Sequence, residues 1–463
     1  MQISDLISNA RIRKSSRSRA DLRDDFYSDR SRIVFSSSFR RMMKKAQVFS
    51  LETNSYVRNR LTHTLEVADI GRTLARAVGV KLVGKDILNA ARSECLVAIV
   101  ENACLLHDIG NPPFGHFGEE AIKAWFTNDK VAKFFPAEMV QPRPEQLETM
   151  LSDFQSFDGN PQGFRIATRL HNEVGTAGFN LTCSTLLAMV KYPYFEKAAP
   201  GALFSKKRGV FGSEKEIYLE SCRLMDQIPG RRFFLTYLME LADDICYCLS
   251  DIGDSFEKNV TTSRDYIAEI TALCEADKIP VQQLVPEKQR IDSFAHDVAI
   301  AIAQRAIEEA SRQFVDNLDS YINGSANELV DDIPAGDLLK CLKKFARKFI
   351  YTSLEAQRIE IAGSRIVSGL LDHFGMVLRI PRVDFQHFVK QDEMRKDSHL
   401  DLEWRVFSQL SKRMRKVYDD SVTDETNDHD EWIARARLIV DYISGMTDDS
   451  ARDIYQNFMG ISI

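Results

Sequence analysis

His107 and Asp108 stand side by side in the run LLHDIGN. An imidazole and a carboxylate at one helix end can share a divalent ion, and mixed nitrogen and oxygen donors suit borderline or hard metals. The dipeptide alone is a weak signal. Here it lies on the inward face of an apolar helix, where an unpaired aspartate is costly. A core histidine explains His107 but explains its neighbour poorly. His63, in RLTHTLEV, lies 44 residues earlier, room for one helix, a connection and an antiparallel return. A capping or core histidine is the even alternative at that position. The run MELADDICYCLSD (239–251) sets Asp243, Tyr247 and Asp251 at i, i+4 and i+8, one stripe of a helix. Leu238, Leu241, Ala242, Ile245, Leu249 and Ile252 form the apolar face beside it. A metal and a sugar hydroxyl would satisfy these carboxylates and the phenol. A solvated face is the alternative, and the flanking cysteines count against it.

Helices must position these groups, because strand signals are sparse. Apolar residues recur at helical spacing over 62–78 (Leu65, Ala68, Leu74, Val78) and over 93–107 (Leu96, Ile99, Val100, Ala103). His107 continues the second face, and Gly110, Pro112 and Pro113 end it. Further helices are expected at 233–254 and around 291–317, 337–348, 355–376, 401–418 and 430–445. The fold class is mostly α. Segment 126–163, with Pro136, Pro142, Pro144, Gly159 and Pro161, reads as loop-rich, and 192–230 as an irregular excursion. The acidic run 419–431 reads as a solvated loop. No internal repeat is visible.

The bulk properties narrow the class. The 463 residues with 44% apolar content can bury a large core. A net charge of −6, from 67 acidic and 61 basic residues, excludes a global field for polyanions. Eight cysteines without a CxxC pair argue against a disulfide framework and for a cytoplasmic location. The first residues lack the apolar core of a secretory signal. No run reaches the roughly 18 apolar residues that a membrane span needs. HExxH, GxSxG and GxxxxGK[ST] elements are absent.

The order H…HD…D, from His63 through His107–Asp108 to Asp243, resembles the metal-binding pattern of the HD superfamily. The surrounding blocks are similar to those of the bacterial dGTPase family: SSFRRMMKKAQVF (37–49), VRNRLTHTLEV (57–67), NACLLHDIGNPPFGHFGEEAI (102–122), GNPQGFRI (159–166), LTCSTLLAMVKYPY (181–194) and ELADDICY (240–247). They are collinear over roughly residues 30–255.

This resemblance implies a helical HD core with additional C-terminal helices. It divides the chain into an arm (1–36), the core (37–260) and a helical region packed on it (261–463). It assigns His63, His107, Asp108 and Asp243 to one divalent ion: Mn2+, Mg2+, Fe2+ or Co2+. It places His116 near the α-phosphate as the catalytic histidine, with Glu119 orienting it. Gln47 would touch the deoxyribose, and Arg60, Lys191 and Tyr192 the phosphates. Asp251 would hold the 3′-hydroxyl, while Tyr247 fills the space of a 2′-hydroxyl. A surface lysine and a packed aromatic explain Lys191 and Tyr192 nearly as well. The implied reaction is hydrolysis of dGTP, or of other dNTPs, to nucleoside and triphosphate, by a homo-oligomer.

Two rivals remain in view. One is another HD phosphohydrolase, which the sugar-facing stripe disfavours. The other is a nucleotide sensor or single-stranded DNA binder. Its basis is a basic arm (Arg11, Arg13, Lys14, Arg17, Arg19, Arg23, Arg30, Arg32) and basic runs at 341–348 and 411–416. Interleaved acids make the arm read as solvated or subunit-contacting, and the two runs read as polar helix faces.

Overall fold

The structure, a computed structural model, describes residues 3–15, 21–171, 178–280, 294–394 and 399–461. Its first long helix, α1 (Arg23–Val34), lies against the Ala90–Leu106 helix (α3). Between them in chain order comes α2 (Arg60–Gly84), which packs on α3. A local signal starts α2. The Asn59 side chain accepts from the Thr62 backbone N–H at 3.0 Å, and the Asn59 N–H donates to the Thr62 hydroxyl at 3.1 Å. Such a reciprocal cap contributes about 1 kcal/mol. His63, Val67, Ala68, Gly71, Leu74, Ala75, Val78 and Leu82 then bury one face of α2 at helical spacing.

The short helix α4 (Gly115–Trp125) and α5 (Pro144–Gln155) follow, then α6 (Thr236–Glu257), which packs on α2 and α3. Helix α7 (Phe294–Asp316) closes over α2, and α8 (Pro334–Phe349) over α6. Helices α1, α2, α3, α6, α7 and α8 share one apolar cluster, to which Ile109 belongs. A second cluster joins α4 and α5 to α9 (Leu354–Gly375), α10 (Asp428–Ser444) and α11 (Asp448–Phe458), and includes Phe114. The six residues from Ile109 to Phe114 therefore cross from one cluster to the other. Gly110 makes the crossing possible, since an added Cβ would sit 2.1 Å from the Gly159 carbonyl oxygen.

Buried charge fastens the clusters together. Arg165 donates to Asp441 at 2.7 Å and to Glu214 at 2.6 Å, all three being buried. Removing the arginine would leave two carboxylates without a counter-charge, a loss of about 3–5 kcal/mol.

The mostly α expectation holds: among the described residues there is no strand, only an isolated bridge between Ala46 and Asn59. Several local expectations change. Segment 126–163 is not simply loop, because Pro144 opens α5 from the first helical position, where its missing N–H costs nothing. The helix expected over 401–418 is two, Asp401–Ser408 and Lys412–Ser421. In the acidic run 419–431 only the middle is loop. Glu431 is buried, paired with Arg435 at 2.7 Å and accepting from the Tyr418 hydroxyl. The arm is not solvated at Arg11, which is buried against Asp25 and Asp29 at 3.2 and 2.6 Å. Arg17 and Arg19 lie outside the described residues. In 341–348, Lys343, Lys344 and Lys348 pair with Asp244, Asp277 and Glu269. Arg415 in the 411–416 run is buried against Asp392 and backbone carbonyls. No helix among the described residues is long and apolar enough to cross a membrane.

Candidate metal and nucleotide site

Helices α2, α3 and α6 converge on one point. His63 comes from the first turn of α2, His107 caps the C-terminal end of α3, and Asp243 lies two turns into α6. Their ligand atoms all fall within 4.8 Å of one another. Nε2 of His63 and Nε2 of His107 each stand 3.4 Å from Oδ1 of Asp243. The Asp108 carboxylate reaches 3.6 Å from the same His107 nitrogen. Metal–nitrogen bonds of about 2.1 Å place neighbouring ligands roughly 3–4 Å apart, so the spacing is that of a metal cage, slightly open.

Protonation supplies the test of fit. Nδ1 of His107 lies 2.7 Å from the Cys104 carbonyl, which can only accept, so that nitrogen carries the hydrogen. Nε2 is left with its lone pair, buried and without a donor. It points at carboxylate oxygens, an arrangement that repels until a cation enters. Burial depresses the His107 pKa and keeps the ring neutral. Burial pushes the Asp108 carboxyl up, but Arg60 holds it down at about 2. Lys191 holds Asp243 well below its ordinary value against the same burial. Neutral imidazole and ionised carboxylates are the forms a divalent ion requires.

Two cations already touch the cage. Arg60 donates to Asp108 Oδ2 at 2.5 Å and Lys191 to Asp243 Oδ2 at 2.5 Å. Asn111 donates to the other Asp108 oxygen at 2.7 Å. Arg232 fixes the Lys191 backbone by donating to its carbonyl at 2.9 Å, and itself pairs with Glu240.

His116 sits in the first turn of α4, with Nδ1 3.3 Å from Glu119 Oε2. The other Glu119 oxygen accepts from the Gly159 N–H at 2.7 Å. The GNPQG block thus orients the acid that orients the histidine. The hydrogen bond to Glu119 raises the His116 pKa against partial burial. In the same block, Asn160 binds Asp158 and Arg165 ties the clusters.

Asp251, fully buried two turns beyond Asp243, accepts from the Tyr351 hydroxyl. Burial pushes its carboxyl up to about 7, partly offset by that hydrogen bond. The Tyr247 ring stacks on Tyr351 with centroids 6.0 Å apart. Gln47 bonds none of the other candidates through its buried amide oxygen, which has no partner. Tyr192 is half-buried, its hydroxyl raised by burial, with Lys191, Glu240 and Lys207 as charged neighbours. Tyr351, Asn111, Gly159 and Arg232 carry no mark in the sequence periodicity. Asn111 and Gly159 lie in blocks whose similarity was noted, whereas Tyr351 sits on an unremarkable helix junction.

Residues 60–173 match the HD domain family, and residues 386–457 match the phosphohydrolase-associated domain family. A deoxyguanosinetriphosphate triphosphohydrolase of Klebsiella pneumoniae (strain 342) is 34% identical over 487 aligned residues, covering 94% of each chain. One of Yersinia enterocolitica (serotype O:8 / biotype 1B) is 35% identical, covering 94% of this chain and 93% of its own.

Proposed function

The chain belongs to the HD-domain deoxyguanosinetriphosphate triphosphohydrolase family, and we propose that it hydrolyses dGTP to deoxyguanosine and inorganic triphosphate. The observation that carries this reading is the convergence of His63, His107 and Asp243 around an imidazole nitrogen that has no protein donor. With Asp108, these residues would hold one divalent ion, and the donor set suits Mn2+, Mg2+, Fe2+ and Co2+ alike. A divalent ion bound there supplies Lewis-acid polarisation of the phosphate and acidification of water.

The chain's own residues do the rest. Arg60 and Lys191 stand beside the cage and turn to the triphosphate oxygens once their carboxylates face a metal. Tyr192 joins them at the phosphates. Water adds at the α-phosphorus, the bond from that phosphorus to the 5′-oxygen breaks, and the 5′-oxygen takes a proton. Glu119 keeps His116 charged to higher pH than an ordinary histidine, the form able to give that proton. Asp251 accepts from the 3′-hydroxyl, Gln47 touches the deoxyribose, and the stacked Tyr247 leaves no room for a 2′-oxygen.

We assign the arm to 1–36, the HD core to 37–260 and its helical partner to 261–463. The working form is a cytoplasmic homo-oligomer. Single-stranded DNA as a partner has less support, since Arg11, Arg23, Arg30, Lys343, Lys344 and Lys348 all pair with acids. Hydrolysis in 18O-labelled water tests the bond cleaved. Label in triphosphate fits attack at phosphorus, and label in deoxyguanosine refutes it.

A further inference from the structure

Asp448 is a buried carboxylate in the first turn of α11, 334 residues from one partner and 402 from the other. Its Oδ1 accepts from the Phe114 N–H at 3.0 Å and its Oδ2 from the Ala46 N–H at 3.0 Å. Neither bond serves its own helix, which Thr447 caps through Ser450. Ala46 directly precedes Gln47, and Phe114 stands two residues before His116. One side chain from the C-terminal end therefore grips the two loops that lead to the sugar contact and to the catalytic histidine.

We propose that Asp448 is a positioning residue that sets the spacing between these loops and so delivers His116 and Gln47 to one substrate. Three features support it. Phe114 holds a left-handed backbone, φ 61°, which a non-glycine residue keeps only when its surroundings enforce it. Its ring is wedged over Gly363 of α9, where an added Cβ would lie 2.5 Å from it. A second strut runs parallel: buried Lys45 donates to the Asn111 carbonyl at 2.5 Å and to the Ser444 carbonyl at 2.9 Å. The junction of α10 and α11 thus holds both loops twice. A carboxylate suits the place because it offers an acceptor to each amide, whereas a carboxamide offers one acceptor and presents a donor to the other N–H.

What the loops deliver rests on the proposed function; the clamp itself does not. The test is Asp448→Asn, read in two ways. Hydrogen exchange should quicken in peptides covering 44–49 and 112–117 and stay unchanged in α2 and α3. The kcat on dGTP should fall by about 10–100-fold, as for a group displaced by an ångström, with Mn2+ affinity kept. In a His116→Ala background the same change should cost less, because the share that acts through His116 is already lost and only the share through Gln47 remains. Unchanged exchange at both loops overturns the clamp. An equal fall in both backgrounds overturns its catalytic role. If Asp448→Asn does not fold, Asp448→Glu, which keeps both acceptors on a longer stem, decides by the same exchange pattern. A wild-type protein that spares dGTP would sink the proposed function, while the exchange result would still settle the clamp.

Discussion

The Tyr351 hydroxyl donates to Oδ2 of Asp251, joining residues 100 apart in the chain, and its ring stacks on Tyr247 at 21° between planes. The junction of α8 and α9 thereby reaches the α6 stripe proposed to hold the sugar. Burial lifts the Asp251 carboxyl from 3.8 to about 7, and the Tyr351 bond holds it from rising further. The folded chain therefore binds this proton where the unfolded chain has lost it. The stability Asp251 contributes is present at low pH and is lost as pH climbs from about 4 to about 7. Tyr351→Phe should carry the upper end of that window, and the acid limb of kcat/KM for dGTP, to higher pH. It should also raise KM by about 3–10-fold, the size of one hydrogen bond. An acid limb that stays in place would show that Tyr351 does not tune Asp251.

Asp108→Ala should abolish metal binding, measured as bound Mn2+ per chain after gel filtration. Turnover should fall by more than about 100-fold, since even partners behind the ligands cost up to that. Far-ultraviolet circular dichroism should keep its helical signal, because Asp108 lies past the end of α3 and only the side chains of Arg60 and Asn111 lose a hydrogen-bond partner. Retained stoichiometric metal would remove Asp108 from the ligand set.

His116→Ala should keep its metal and lose about 10²–10⁴-fold in kcat, the range of a general acid or base. Glu119→Gln tests the pair through pH. Because Glu119 raises the His116 pKa, protonated His116 persists above its ordinary range, and the stability from that ion pair disappears as pH rises through the raised value. Removing the charge should move the basic limb of kcat to lower pH. A limb unmoved in Glu119→Gln would separate the two residues.

The order of the candidate ligands could be read in the sequence because metal chemistry restricts both residue type and helix position. His63, His107 and Asp243 each sit on a strongly periodic helix, and the structure brings their atoms within 4.8 Å. Helix ends were harder. Pro144 read as a breaker, although Leu147, Leu151 and Phe154 follow it at helical spacing and bury one face of α5. Pairings between distant segments leave no periodic trace. Glu431 looked solvated among acids until Arg435 and Tyr418 enclosed it, and Arg11 until Asp25 and Asp29 did. Tyr351 and Asp448 belong to the same class: each acts on a residue at least 100 positions away, through a contact that only the folded chain creates.

The most direct measurement supplies the purified protein and Mn2+ with dGTP, dATP, dCTP, dTTP and GTP in separate reactions and identifies the products. The account predicts deoxyguanosine and inorganic triphosphate from dGTP, with GTP left intact. Release of monophosphate and pyrophosphate, or hydrolysis of GTP at the rate of dGTP, would contradict it.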